Sequence, residues 1–287
     1  MSGGPDIRLA VVTSRVRVEE KLIFTALERH AIPYQHLDER TLCMELTGSR
    51  LLPYTVVLNR SMSNTRNRYI AHLFEACGTI VVNNSRVIET CGDKALTSIA
   101  LVGAGIPTPR TTIALTPAAA LPALEQIGYP AVLKPVNGSW GRLLAKVSDR
   151  EAAEAILEHK QVLGSPIHSV IYIQEYIEKP GRDIRTIVMG DQVICGMYRH
   201  SEHWITNTAR GGSTTLCELT SDLVDLSLRA AQSVGGGAVA VDLIERPDGA
   251  LLVTEINHTM EFHGMLTATG VDVADALVQY VRQVAQL

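Results

Sequence analysis

The amino-terminal third of the chain alternates short apolar runs with stretches of helical periodicity, and no other feature restricts the fold as much. Residues 7–13, 34–37, 55–58 and 80–82 read as short strands. Between them, residues 19–30 set Leu22, Ile23, Ala26 and Leu27 on one helical stripe, and 65–76 form a second helix. Strands separated by helices pair in parallel through crossover connections. Residues 1–93 are therefore expected to form a small α/β lobe.

The pattern then changes. Residues 93–104 read as a helix closed by Gly105, with Pro107 and Pro109 behind it as a stop signal. A strand at 111–115 follows. Thr116-Pro117 is an N-cap with proline at the first helical position, and that helix runs to Ile127. Next come a strand at 131–135, a loop at 137–142, a strand at 143–147, and a helix to Lys160 capped by Asp149. These make a middle lobe, 94–169. A third lobe, 170–287, holds two strands around the turn Gly190-Asp191, a polar loop at 200–215, a helix at 222–234, a hairpin, and a last helix from Asp272. No internal repeat is present.

Composition excludes several functions. The 287 residues carry a net charge of -4, so there is no basic footprint for nucleic acid, and an acidic partner needs a local basic patch. Five cysteines without a C-x-x-C pair argue against a disulfide framework and a zinc knuckle, and suit a reducing cytoplasm. No signal peptide is read at the amino terminus, and no apolar run reaches the length of a membrane span.

The carboxyl-terminal hairpin carries the chemistry. Apolar strands at 238–245 and 250–256 flank the turn Arg246-Pro247-Asp248-Gly249. A two- or four-residue loop sets Asp242 opposite Val253. With period-two alternation, Asp242, Val253, Glu255 and Asn257 then share one face. Two carboxylates side by side repel unless a cation lies between them, and magnesium takes hard oxygen ligands completed by substrate phosphates. The bland alternative, acids pointing to solvent from an edge hairpin, sits poorly with the apolar neighbours Val241, Leu243, Val253 and Ile256.

Other segments are weaker taken singly. Lys134 ends an apolar strand and is followed by Asn137-Gly138-Ser139-Trp140-Gly141-Arg142, where glycines let backbone N–H groups approach phosphate. Lys94 opens a helix. Residues 174–185 run from an apolar strand into a polar turn suited to an adenine edge and a ribose. The loop 200–215 offers arginines with bidentate geometry. His200 and His203 lack a third ligand at metal spacing.

In this order, these pieces resemble the ATP-grasp ligases, in the branch containing LysX-like and RimK-like enzymes. The resemblance is carried by 89–94, 138–146, 174–185, 203–212 and 257–262, and it covers nearly the whole chain. It implies an α/β ATP-grasp fold with an amino-terminal pre-ATP-grasp domain, and ATP with magnesium as cofactors. Lys94 and Lys134 would contact phosphates, and Gly138, Ser139, Trp140, Gly141, Arg142 and Leu143 would close over them. Gln174, Glu175, Tyr176, Ile177 and Arg185 would carry adenine and ribose. Arg199 and Arg210 would steady phosphates and the acyl phosphate, with Lys134 and Arg210 as the catalytic pair. Asp242, Glu255 and Asn257 would hold magnesium. Asn207 and Arg210 would face the amino acid, together with Thr259, Met260, Glu261, Phe262, Gly264 and Met265.

The resemblance further implies an amine joined to the terminal glutamate of a small acidic carrier protein, LysW. The expected amine is that of α-aminoadipate, in lysine biosynthesis, and the enzyme is expected to be a homo-oligomer. Gly264-Met265 departs from the LysX pattern and is near that of sister enzymes using glutamate in an arginine or ornithine route. Glutamate, a specialised carrier pathway, and a RimK-like glutamate ligase are the alternatives within the class. A regulatory protein that lost catalysis is the alternative outside it.

Overall fold

The computed structural model describes residues 8–47, 52–138, 142–163, 169–206 and 211–286. The first lobe contains β1 (Leu9–Thr13), α1 (Val18–Arg29), β2 (Tyr34–Asp38), β3 (Val56–Arg60), α2 (Asn64–Glu75), β4 (Ile80–Val82) and α3 (Ser85–Cys91). Its sheet has the order β2-β1-β3-β4, all parallel, as the alternation of strand and helix requires. Both β1 and β3 are buried on both faces, which is why they read as unbroken apolar runs. Leu9 and Val11 pack with Ile23, Ala26 and Leu27 of α1, while Ala10 and Val12 pack with Ile70, Ala71 and Phe74 of α2. The sequence reading missed α3, a single short helix. Asn84 caps it by accepting from Val87 N, and it buries Val87 and Ile88.

The middle lobe holds α4 (Lys94–Gly103), β5 (Thr111–Ala114), α5 (Pro117–Ile127), β6 (Ala131–Lys134), β7 (Ala145–Val147), α6 (Arg150–Leu163) and β8 (Ile171–Glu175). The expected caps are present: Thr116 accepts from Ala119 N and Asp149 from Ala152 N; Asp93, read as the first residue of its helix, is its cap and accepts from Ala95 and Leu96 N. The antiparallel sheet runs β5-β8-β6-β7. Thus β8, which follows position 170, belongs to the middle sheet rather than to the third lobe. It sits between β5 and β6, with Ile171 and Ile173 in the core under α5 and α6. The strand expected from 143 begins at Ala145. Leu143 has a left-handed backbone (φ 59), which a strand cannot continue, and its side chain is 72% exposed.

The third lobe holds β9 (Arg182–Met189), β10 (Gln192–His200), β11 (Ser213–Leu216), α7 (Ser221–Ser233), β12 (Ala238–Glu245), β13 (Leu251–Asn257), α8 (His263–Thr269) and α9 (Val273–Ala285). Its antiparallel sheet runs β11-β10-β9-β12-β13. Two elements here were not read from sequence: β11, a short polar edge strand inside the expected loop, and α8. One face of the sheet packs on α7. The other joins Met260, Phe262, Met265 and α9 to the Leu9–Val11 face of the first lobe, so these two lobes share a single core.

Asn83 fastens the junction. Its amide donates to Ala238 O (2.8 Å) and His258 O (2.7 Å), and its carbonyl accepts from Ala238 N (2.7 Å). Gly237, at φ +90, approaches this amide so closely that a Cβ would collide with Asn83 Oδ1. Asn83→Ala strands buried backbone groups and is expected to lower stability by roughly 2–4 kcal/mol in urea denaturation. A change below about 0.5 kcal/mol, the range of ordinary surface substitutions, would show that the clamp contributes nothing.

Candidate active site

The β12–β13 hairpin differs from its expected geometry in an informative way. Glu245 pairs with Leu251, so the loop has five residues, closed by Arg246 N to Ala250 O at 2.9 Å. An odd loop in simple register would set Asp242 opposite Thr254 and turn the acids to opposite faces. Instead the register shifts between Asp242 and Leu243, and Asp242 pairs with Glu255 while Leu243 pairs with Val253. Thr254 is thus the extra residue of a β-bulge, and its hydroxyl donates to Asp242 O (3.1 Å). Asp242, Glu255 and Asn257 share one face, as expected. Val253 does not: it lies with Leu243 in the core under α7.

That face lines a cleft of about 490 Å³ where the three lobes meet, a size ordinary for a small-molecule site. Asp242 is buried and accepts from Arg185 Nε (2.6 Å) and Nη2 (2.7 Å), and Arg199 Nη2 lies 3.2 Å away. Asn257 Nδ2 donates to it at 3.4 Å. Burial pushes the Asp242 carboxyl up, but Arg185 and Arg199 outweigh it and hold it down at about 2. Arg199 is also forked on Asp183 (2.6 and 2.9 Å), which takes the Thr206 hydroxyl as well. Sheet register makes these pairs: Arg185 stands opposite Asp242, and Asp183 opposite Arg199. Lys94 Nζ bonds Glu255 Oε1 (3.1 Å) and Gly138 O (2.8 Å).

Lys134 projects from the end of β6, with Nζ 5.9 Å from the centre of the Tyr172 ring. Burial pushes its pKa down to about 8. Lys179 donates to Thr206 Oγ1 (2.8 Å), and burial lowers its pKa too. Both Asp183 and Lys179 were passed over as individuals within 174–185. Period two in β9, which sets Asp183 and Arg185 on one face, was the available signal.

On the opposite wall, Glu175, Tyr176 and Ile177 line the cleft beside Leu144 and Val132. Gln174 also borders it, yet its amide is spent on Tyr172 OH (3.0 Å) and Thr111 Oγ1 (3.1 Å). Tyr176 meets Trp204 edge-on (ring centres 6.4 Å apart) and carries Lys146 over its ring at 3.8 Å. Thr259, Met260, Glu261 and Gly264 line the cleft as expected, joined by His258, which burial and the Arg60 charge push down to about 4. Phe262 and Met265 do not: they are 2% and 0% exposed in the shared core, where an apolar side chain after each turn is drawn inward. Arg142 and Leu143 lie outside the cleft lining. Ser139, Trp140, Gly141, Asn207 and Arg210 fall outside the described residues. Arg17, Ser61, Met62 and Asn64 of the first lobe line the cleft without having been anticipated.

The donors fit magnesium. Two carboxylates and an amide oxygen are hard ligands on one face, and each carboxylate already attracts cationic side chains. No group of three or more His, Cys, Asp or Glu gathers among the described residues.

This three-lobed α/β chain, with ligases among its relatives over nearly its whole length, is an ATP-dependent ligase that forms amide bonds. The chain belongs to the RimK-like ATP-grasp family: the RimK-like ATP-grasp domain matches residues 91–281, and the LysX preATP-grasp domain matches residues 9–90. It is 36% identical to a glutamate–LysW ligase, ArgX, of Sulfurisphaera tokodaii, with 96% of this chain and 99% of that one covered. It is 34% identical to an α-aminoadipate–LysW ligase, LysX, of Sulfolobus acidocaldarius, covering 93% and 99%. Among solved structures, a RimK-domain ATP-grasp protein of Sphaerobacter thermophilus superposes with a TM-score of 0.79 at 26% identity, covering 95% of this chain and 98% of that chain. A D-alanine–D-alanine ligase of Bacillus anthracis in complex with ATP shares the fold (TM-score 0.72, 18% identity, covering 98% and 97%).

A lysine that ionises near pH 8 is about half neutral at that pH, and a neighbouring polyphosphate favours its ammonium form. Binding of Mg·ADP at pH 8 should therefore take up roughly half a proton. Calorimetry in buffers of different ionisation enthalpy measures this, and Lys134→Met should abolish it. Proton release, or uptake unchanged in the variant, would remove Lys134 from the phosphate site.

Proposed function

We propose that this protein activates the terminal carboxylate of a small acidic LysW-type carrier protein as an acyl phosphate and joins it to the α-amine of an acidic amino acid. One observation carries the reading. Asp242, Glu255 and Asn257 of a single hairpin face meet Lys94 and Lys134 of the middle lobe across one cleft. The relatives supply the substrate classes, since their names pair LysW with glutamate or with α-aminoadipate.

The chemistry needs no protein nucleophile. Carboxylate oxygen attacks the terminal phosphorus of ATP and ADP leaves; the amine then displaces phosphate. Positioning and charge neutralisation supply the catalysis. Asp242, Glu255 and Asn257 would hold magnesium, which supplies positive charge against the phosphate oxygens. Lys94 and Lys134 present ammonium groups to the same oxygens. Arg185 and Arg199 stand beside Asp242 with guanidinium groups that can turn to phosphate. Tyr176 and Trp204 wall the side lined by Glu175 and Ile177, where a base would lie.

For the amino acid, the relatives at 36% and 37% identity use glutamate, and Gly264-Met265 leans the same way. The stretches 203–212 and 257–262 lean to α-aminoadipate. One methylene separates the two and is worth about 1–3 kcal/mol in a pocket.

The enzyme with a LysW-type carrier, ATP, magnesium and each amino acid in turn should add one amino-acid residue to the carrier by intact mass. The preference between the two should fall within roughly 10- to 200-fold. Asp242→Asn and Glu255→Gln should each lower ADP formation at least about 100-fold. Near-normal turnover in both variants, or no mass gain with either amino acid, would remove this reading.

A further inference from the structure

We propose that Arg17 receives a substrate carboxylate that is not the one being activated, an inference that rests on the ligase reading above. Arg17 caps α1 at the carboxyl ends of β1 and β3, the point where the parallel sheet reverses its strand order. Crevices at such points bind ligands in open α/β sheets. Its guanidinium lines the cleft beside Ser61 and Met62 of the loop after β3.

Arg17 is held from two sides that differ in burial. Glu20, fully buried, accepts from Arg17 Nε (2.9 Å) and Nη2 (2.9 Å), and also from Arg60 Nε (3.0 Å). Two guanidinium groups thus share a single carboxylate. The other buried acid nearby, Glu19, lies 2.6 Å from His263 Nδ1. The remaining guanidinium nitrogen, Nη1, donates to Glu261 Oε1 at 3.0 Å. Glu20 and Glu261 differ in kind. The Glu20 side chain is 0% exposed and fixes the fork from behind; the Glu261 side chain is 35% exposed, on the cleft side.

A substrate carboxylate can therefore replace Glu261 on Nη1 without disturbing the buried triad. Glu261 follows Asn257 by four positions, so this place adjoins the metal-binding face. Glu20 and Arg60 are positioning residues for Arg17. The carboxylate has two sources: the side chain of the incoming acidic amino acid, or the carboxylate of the carrier's terminal glutamate that is not activated.

The test compares kcat/KM for L-glutamate against L-glutamine, and for the carrier against one whose terminal glutamate carries its non-activated carboxylate as the amide, in wild type and Arg17→Met. Losing a hydrogen bond to a charged partner costs roughly 10- to 100-fold. The wild type should show that preference in one comparison, which identifies the source, and Arg17→Met should reduce it towards one. Arg17→Lys, which keeps charge but not the fork, should fall between. Mg·ADP affinity by calorimetry should not change. A preference retained by Arg17→Met in both comparisons overturns the proposal. So does a loss of Mg·ADP affinity as large as the loss in kcat/KM, because a staple between lobes would produce that. If Arg17→Met does not fold, Arg17→Lys gives the same readings. If the wild type transfers nothing to the carrier, the ligase reading fails by itself. Binding of glutarate in the presence of Mg·ADP then judges Arg17: loss in the variant supports it, and equal binding overturns it.

Discussion

A buried carboxylate beside a half-buried one demands positive charge, and much of this molecule is arranged around meeting that demand. Asp242 and Glu255 occupy paired positions of adjacent strands. Arg185 and Arg199 converge on the first, and Lys94 reaches the second from another lobe. All of these residues line the same cleft. Buried ion pairs add little net stability over apolar packing of equal volume. Stability alone therefore gives no reason to keep five charges here, whereas exchange of partners on nucleotide binding does. A carboxylate already held at about 2 is fully ionised at neutral pH and ready for a metal.

The packing divides the molecule unequally around that charge. The first and third lobes share one core, in which Leu9 and Val11 meet Ile187, Met260, Phe262 and α9. Asn83 adds hydrogen bonds across the same junction. The hairpin acids and Arg17 are thus built on one continuous body, and the distance between metal face and first-lobe floor is set by close packing. The middle lobe has a core of its own, drawn from residues between Ala114 and Ile173. Lys134 and the wall at 175–177 stand on this second body, joined to the first through α4 and the end of β8.

The sequence displayed what local periodicity can display. The parallel strands of the first lobe and the caps at Thr116 and Asp149 follow from alternation and turn chemistry, whereas the shared face of Asp242, Glu255 and Asn257 depends on a bulge that alternation alone does not reveal. What it hid depends on partners distant in the chain. β8 is followed directly by the third lobe, yet it hydrogen-bonds to β5 and β6, and adjacency in sequence misplaced it. Phe262 and Met265 lie in a stretch that borders the cleft, but their apolar side chains turn into the shared core. Arg17 has no motif around it: its partners are Glu20, Arg60 through Glu20, and Glu261, which is 244 residues away.

The bulge at Thr254 shows how a small irregularity can carry a site. The turn after Glu245 has an odd number of residues, closed by Gly249 N to Arg246 O. Beyond it, Ile244 pairs with Leu252 and Leu243 with Val253, which keeps Leu243 and Val253 in the core. Continued inwards, that register would leave Asp242 facing the cleft and turn Glu255 into the apolar core under α7. One inserted residue changes the register for the inner half alone. Glu255 and Asn257 then return to the face of Asp242, while Ile256 joins the core. The bulge thus satisfies two requirements in one hairpin: apolar packing at its outer end and converging oxygens at its inner end. Thr254 ties the two by donating to the Asp242 carbonyl.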